Sequence, residues 1–300
     1  MNAPETSGDY RSGFVSLAGR PNVGKSTLVN RILGRELSIV TPKPQTTRKR
    51  ITAIHTMPNA QMVLHDTPGI HEASTPLNRS LVAAAIKTLE EADIVLLIIT
   101  PSEGIETDDQ RIIDLIKAAG STSVLAINKI DTVEPPAILP LIDLYRKAYS
   151  FQEIVPISAL HGDGVQELIQ ALLKLLPPGP PLFPEEDVSD MPVRFFVEEI
   201  IREQVINKTG EEIPYKTAVV VESFKEEKGR VWIHADIHVE KDSQKKILVG
   251  KAGRMIKAIG TSARAKIEDF LECRVRLDLF VKVSPNWSRN PAKLIEFGYH

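Results

Sequence analysis

Between Phe14 and Leu176, short apolar and β-branched runs alternate with stretches whose apolar residues recur every three or four positions. The runs Phe14–Ala18, Lys49–Thr56, Met62–Asp66, Ile94–Thr100, Ser123–Ile127 and Glu153–Ile157 predict strands. The periodic stretches Lys25–Leu33, Pro76–Glu90, Thr107–Ala119, Ala137–Tyr149 and Val165–Leu176 predict helices. Alternation of this kind specifies an α/β architecture, a doubly wound, mostly parallel sheet with helices on both faces. Such sheets bind ligands at the carboxyl ends of their strands.

The pattern breaks at Pro177-Pro178-Gly179-Pro180-Pro181 and Phe183-Pro184-Glu185-Glu186-Asp187. Proline lacks the amide donor and clashes with the preceding turn, so no helix continues through this stretch. A stiff linker over 177–191 is expected, dividing a domain at 13–176 from another at 192–300. The first twelve residues are polar and predict a flexible N-terminus. Beyond the linker the order is new: a helix at Val193–Lys208, strands at Thr217–Phe224 and Arg230–Val239, and a short helix at Ser243–Val249. The turn Gly250-Lys251-Ala252-Gly253, a helix at Arg254–Leu271 and a last strand at Arg274–Val283 follow. This predicts a smaller α+β domain.

A chain of 300 residues, 42% hydrophobic and 25% charged, has ordinary soluble proportions and room for two cores. Its longest apolar run, Ile94–Thr100, is far short of the ~18 residues that span a bilayer. Signal-peptide and myristoylation patterns are not seen at the start. The single cysteine, Cys273, excludes an internal disulfide and suits a reducing compartment, so a cytoplasmic location is expected. It reads as a structural thiol. The net charge of −2 conceals a division: residues 191–300 carry 20 basic and 16 acidic side chains, the remainder 17 and 23. This asymmetry suggests an anionic partner for the C-terminal part but does not by itself establish one.

Gly19-Arg20-Pro21-Asn22-Val23-Gly24-Lys25-Ser26 fits GxxxxGK(S/T) between an apolar strand and a helix, with Thr27 next in the helix. Glycines there let backbone amides turn around phosphates, and the helix N-terminus adds partial positive charge. Lys25 would reach the β- and γ-phosphates and the Ser26 hydroxyl would ligate Mg2+. Asp66-Thr67-Pro68-Gly69 closes another predicted strand, where Asp66 would hold the Mg2+ shell, through water, and the Gly69 amide would meet the γ-phosphate. Asn128-Lys129-Ile130-Asp131 closes a third. A carboxylate at Asp131 accepts two hydrogen bonds from guanine, a pairing adenine cannot offer. Ser158-Ala159-Leu160, after one more strand, would complete the base pocket. Taken singly, each of these is a polar turn; their order is what specifies a GTP/GDP site.

That order resembles the translation-factor-related GTPases over residues 14–176. The resemblance implies two segments responsive to the γ-phosphate. The first contains Gln45-Thr46-Thr47-Arg48, with Thr47 closing on Mg2+; Lys25, Thr47 and Gly69 are then the groups nearest the chemistry. Many small GTPases follow the DxxG glycine with a water-orienting glutamine. Here the position is Ile70, which is not a catalytic candidate, and slow intrinsic hydrolysis is expected. Asn22 has two readings, a loop cap or the K+ ligand some of these proteins use. Arg48 and His71 read as helpers or as solvated or structural residues.

From Lys241 to Lys266 there are eight basic side chains and one acidic. They surround the helix–GKAG–helix unit, where Gly250, Lys251, Ala252 and Gly253 would let a nucleic-acid backbone approach and Arg254 opens the next helix. Lys245, Lys246 and Lys257 supply charge; Ile247, Val249 and Ile256 would line a groove for unpaired bases. A basic helix alone is commonly a solvated face, but the element order is similar to a type II KH domain, which implies single-stranded RNA binding.

A GTPase domain joined through prolines to such a module resembles the bacterial Era family over almost the whole chain. Phe183-Pro184-Glu185, Ile200-Ile201-Arg202-Glu203, Gln244-Lys245-Lys246 and Gly298-Tyr299 fit the same family. The resemblance implies a monomeric GTPase that grips the 3′ end of 16S ribosomal RNA and assists assembly of the small (30S) ribosomal subunit. For some members it implies peripheral association with the inner (cell) membrane. A GTP-dependent regulator docking on protein or membrane through the basic domain is the alternative. Trp287 and Phe297 read as packing residues.

Overall fold

The computed structural model describes residues 10–299 except 42, 44, 45 and 228. The chain divides into two compact units. One ends at Asp190; the second begins at Met191 and also takes in Ile39–Lys43 and Ser74–Ser80.

The first unit contains strands β1 (Arg11–Ala18), β2 (Ile51–Met57), β3 (Ala60–Asp66), β4 (Ile94–Ile99), β5 (Thr122–Ile127) and β6 (Glu153–Pro156). Its helices are α1 (Lys25–Leu33), α2 (Pro76–Glu90), α3 (Thr107–Ala119), α4 (Ile138–Ala148) and α5 (Val165–Leu175). The strand order is β2-β3-β1-β4-β5-β6. Every pairing is parallel except β2 with β3, which are joined by a tight hairpin. All six residues of β4 are completely buried. A strand covered on both faces needs a continuous apolar run, and each such side chain contributes about 1.5–3 kcal/mol over its exposed state.

β1 starts at Arg11, three residues before the expected Phe14. It begins early because β3 also begins early, at Ala60, and pairs with Arg11–Gly13, and the proline-rich segment adds partners: Ser12 N donates to Pro177 O (3.1 Å) and Gly179 N to Tyr10 O (3.0 Å). Further along, the Gln61 amide on β3 bonds Leu182 N, Phe183 N and Phe183 O. Ile54 N on β2 donates to Val188 O at 2.9 Å. The 177–191 stretch, expected as a stiff spacer, is thus bound along much of its length to its own unit. Proline removes donors but leaves carbonyls free to accept.

The second unit contains α6 (Val193–Lys208), β7 (Ala218–Glu227), β8 (Arg230–Val239), α7 (Asp242–Val249), α8 (Arg254–Leu271), β9 (Arg274–Val283) and α9 (Pro291–Glu296). β7 and β8 form an antiparallel hairpin, and β9 lies parallel to β8 at the sheet edge. Val197, Ile201 and Val205 of α6 pack with Ile259, Ala263 and Ile267 of α8 against Ile233, Ala235 and Ile237 of β8. Apolar residues at helical spacing meet alternate residues of the strand, the pairing of periods that closes a two-layer core. Trp287 is fully buried, donates Nε1–H to Lys216 O (3.0 Å) and contacts the rings of Phe297 and Tyr299. Cys273 is free and half-buried against this core.

Candidate nucleotide site and nucleic-acid groove

The turn from β1 into α1 requires unusual backbone at Asn22 (φ 64°) and Gly24 (φ 102°). Asparagine tolerates the left-handed region, and at Gly24 a Cβ would lie 2.2 Å from Asn128 Nδ2. Lys25 is buried on the inside of the loop and its ammonium donates to Gly19 O and Arg20 O, both at 2.9 Å. Burial lowers its pKa to about 8, against the pull of Asp66 and Asp109. Arg20 contributes its backbone to the loop but turns its side chain away: Nε donates to buried Asp109 Oδ1 of α3 at 2.9 Å. Tyr145 OH of α4 donates to the other oxygen at 3.2 Å. Burial nevertheless pushes the Asp109 carboxyl above its usual range.

Ser26 Oγ, in the first turn of α1, donates to Asp66 Oδ2 (2.7 Å) and lies 2.9 Å from Thr47 Oγ1. Three segments distant in sequence thus bring three hard oxygen donors to one point, the donor chemistry Mg2+ selects. Thr67 Oγ1 donates to Leu17 O at 2.7 Å and Ile70 N to Gly19 O at 3.2 Å, fastening the buried Thr67-Pro68-Gly69 stretch to the phosphate-loop turn. Ile70 is completely buried in the core shared by α2, α3 and β4. His71 shares a hydrogen bond between Nδ1 and Gly69 O (2.8 Å). Arg48 is buried, so the solvated reading of that residue is corrected. Gln45 lies outside the described residues.

At the end of β5, Asn128 Nδ2 donates to Val23 O (2.7 Å) and its Oδ1 accepts from Ala159 N (2.9 Å). One amide therefore ties the β1–α1 turn to the loop after β6. Lys129, at φ 64°, donates from Nζ to Asn22 O (2.8 Å). Asp131 Oδ1 accepts from Ser158 Oγ at 2.6 Å, and that bond holds the carboxyl below its usual range. Leu160 is 62% exposed. Arg31 of α1 donates from Nε to Ala159 O (3.2 Å) and from Nη2 to Leu160 O, bracing this loop from a position on the helix beyond the phosphate-loop motif. Arg31, Asp109 and Tyr145 carried no local signal. Their partners lie 128, 89 and 36 residues away.

In the second unit, the GKAG turn has positive φ at Gly250 (71°), Ala252 (51°) and Gly253 (74°). A Cβ at Gly250 would come within 2.8 Å of Met255 Cβ, whereas one at Gly253 would meet nothing within 4 Å. Gly250 is thus required by the turn itself, and Gly253 faces open space. Lys245, Lys246, Lys251, Arg254 and Lys257 are exposed. Ile247 is 52% exposed, while Val249 and Ile256 pack partly against the core. Beside the turn, a cavity of 330 Å3 opens between α8 and edge strand β9. Ile256, Lys257, Gly260, Thr261 and Arg264 line one wall, Leu277 to Phe280 the other. The β9 wall was not foreseen from sequence, where the strand showed only as the closing element. Lys266, counted with the basic cluster, instead pairs with Glu203 of α6 at 3.0 Å.

Fold and loops together define a P-loop GTPase unit followed by a type II KH unit. Residues 14–129 match a family model described as a 50S ribosome-binding GTPase, and 212–288 match the KH domain. The GTPase Era of Syntrophus aciditrophicus is 49% identical, with 97% of this chain and 96% of that protein covered. That of Geobacter metallireducens is 50% identical, covering 97% and 98%. An Aquifex aeolicus Era variant bound to GDP·AlF4− superposes with a TM-score of 0.93 at 41% identity, covering 96% of this chain and 99% of that one. An Era protein in complex with MgGDPNP and nucleotides 1506–1542 of 16S ribosomal RNA gives 0.93 and 41%, covering 97% and 99%. The chain belongs to the Era family of GTPases.

Proposed function

We propose that this chain is a GTP-hydrolysing switch that binds the unpaired 3′ end of 16S ribosomal RNA through its KH unit and assists small-subunit assembly. The observation that carries the enzymatic half is the meeting of Ser26, Thr47 and Asp66 within 2.9 Å contacts, beside Lys25 and the turn at Gly19–Gly24. Bound there, Mg2+ would neutralise phosphate charge as it develops. The amides of the turn and the Lys25 ammonium hold the β- and γ-phosphates, and the Gly69 amide senses the third. Asp131 reads the base, with Asn128 and the Ser158–Leu160 loop supporting it. Burial of Ile70 leaves the position after Gly69 without a group to orient water, which favours slow intrinsic turnover.

Asn22 is the residue through which K+ would act, supplying charge in place of an arginine finger. Its left-handed backbone suits this role and a loop cap equally. Hydrolysis is expected to slow at least about fivefold when KCl is replaced by NaCl in wild type, and Asn22→Ala should lose that difference; equal rates in both salts leave Asn22 as a cap.

The RNA half rests on the α8–β9 cavity beside an open Gly253. Gly253→Asp places a carboxylate where a phosphate would pass, so RNA affinity should fall at least about tenfold with GTP turnover unchanged. Fluorescence titration with the 3′ fragment of 16S RNA reads this directly. Undiminished affinity would favour the other reading, a regulator docking on protein or an anionic membrane surface.

A further inference from the structure

The uncovered face of the KH-unit sheet carries large rings where short polar side chains would satisfy a solvent-facing surface. Val231, Ile233 and Ala235 of β8 point into the core, so the alternate residues Trp232 and His234 face outward. On β9 their outward neighbours are Arg276, Asp278 and Phe280, with Arg276 directly opposite Trp232. Trp232 is 46% exposed and Phe280 53%. The rings of His234 and Phe280 lie 4.8 Å apart, and the Arg276 guanidinium sits 4.8 Å from the Trp232 ring. Lys225 flanks Trp232 on its other side, and Arg230 opposite Arg274 forms the next pair along. Opposite Phe280 on the same face Asp236 is buried and paired with Lys282.

Phe280 belongs to two surfaces. It faces outward on the sheet and also lines the cavity between α8 and β9. Because β9 is the edge strand, nothing of the sheet stands between that cavity and the outer face. Alternate residues of a strand are ~6.6 Å apart, so the rings form steps running from the cavity mouth across β9 onto β8. Cross-strand pairing alone would account for such contacts, but it gains most when the rings are shielded from water. These are left half in solvent beside three arginines and a lysine, with one carboxylate, Asp278, paired to Arg276 at 3.4 Å.

We propose that unpaired nucleotides leaving the groove turn over the β9 edge and stack on Phe280, His234 and Trp232, with Arg276 adding cation–π attraction and Lys225, Arg230 and Arg274 meeting the phosphates. Rings accept any base face, so this platform adds affinity and length to the RNA footprint with little sequence preference. The proposal rests on the reading of the α8–β9 cavity as an RNA groove.

The test uses full-length protein, the 16S fragment spanning nucleotides 1506–1542, and four-nucleotide pieces tiled along it, four being the length a KH turn clamps. Trp232→Ala should weaken the long fragment about five- to hundredfold, the range one lost stack supports, while leaving the best-binding tetranucleotide unchanged. Trp232→Phe should restore most of the loss. Thermal unfolding should match wild type, since the ring is on the surface. Equal weakening of both probes, or an unaltered long fragment, overturns the platform with the groove intact. If wild type binds neither probe, the groove reading falls, and the platform with it.

Discussion

Asp131→Asn is expected to exchange guanine for xanthine selectivity. One carboxylate oxygen of Asp131 is fixed by Ser158 Oγ at 2.6 Å, and the same bond lowers the carboxyl below its usual range, so the group is ionised at neutral pH. An ionised carboxylate offers acceptors to guanine's ring N–H and exocyclic amine. An amide presents one acceptor and one donor, so guanine's amine would face another donor, while xanthine's carbonyl would be satisfied. Sites built on hydrogen bonds discriminate by ~10⁴ or more because the mismatched partner leaves a desolvated group unpaired. GTP affinity should therefore drop at least about a hundredfold and XTP affinity rise, as read by competition against labelled GDP. A variant that still prefers GTP would mean that the base is read elsewhere and that the Asn128–Asp131 loop is only a turn.

Part of this architecture was legible because it is written locally. α1, α2, α3, α6 and α8 begin and end where apolar periodicity placed them, since the signal and the element share one window of chain. The turn between β1 and α1 was equally legible: its glycines answer to backbone geometry at fixed spacing. α9 escaped notice despite a local signal. Asn290 caps it through bonds to Ala292 N and Lys293 N, and Pro291 occupies the first turn, a pairing that commonly starts a helix.

What stayed hidden depends on partners far along the chain. The antiparallel setting of β2 is different, since the few residues between it and β3 are too short for a parallel crossover and the spacing alone orients the pair. Gln61 reads as a polar residue in a strand, yet its buried amide is what holds the proline-rich segment. Arg20 sits inside a phosphate-binding motif while its side chain answers to Asp109. A motif fixes what the backbone does over eight residues; it does not say which way each side chain turns. The KH groove shows the same limit. Its helical wall lies next to the GKAG turn, but the opposing wall comes from β9, whose place at the sheet edge is set by the parallel pairing with β8.

Gly69→Ala should separate nucleotide binding from hydrolysis. A Cβ at Gly69 would lie 2.6 Å from Pro21 N and 2.8 Å from Pro21 Cδ. Neither atom can swing aside, because one is backbone and the other belongs to a ring closed onto it. The Thr67–Ile70 stretch and the Gly19–Gly24 turn must then part, losing the bond from Ile70 N to Gly19 O. With it goes the placement of the Gly69 amide where the γ-phosphate would be. GDP makes no use of that amide; the turn at Gly24, Lys25, Asn128 and Asp131 still serve it. GDP affinity is therefore expected within about threefold of wild type. Single-turnover GTP hydrolysis should fall at least about a hundredfold, equivalent to ~2.7 kcal/mol of lost transition-state stabilisation. Equal loss of GDP and GTP binding would place Gly69 in the folding of the loop instead of the response to the third phosphate, and wild-type hydrolysis would remove Gly69 from the reaction altogether.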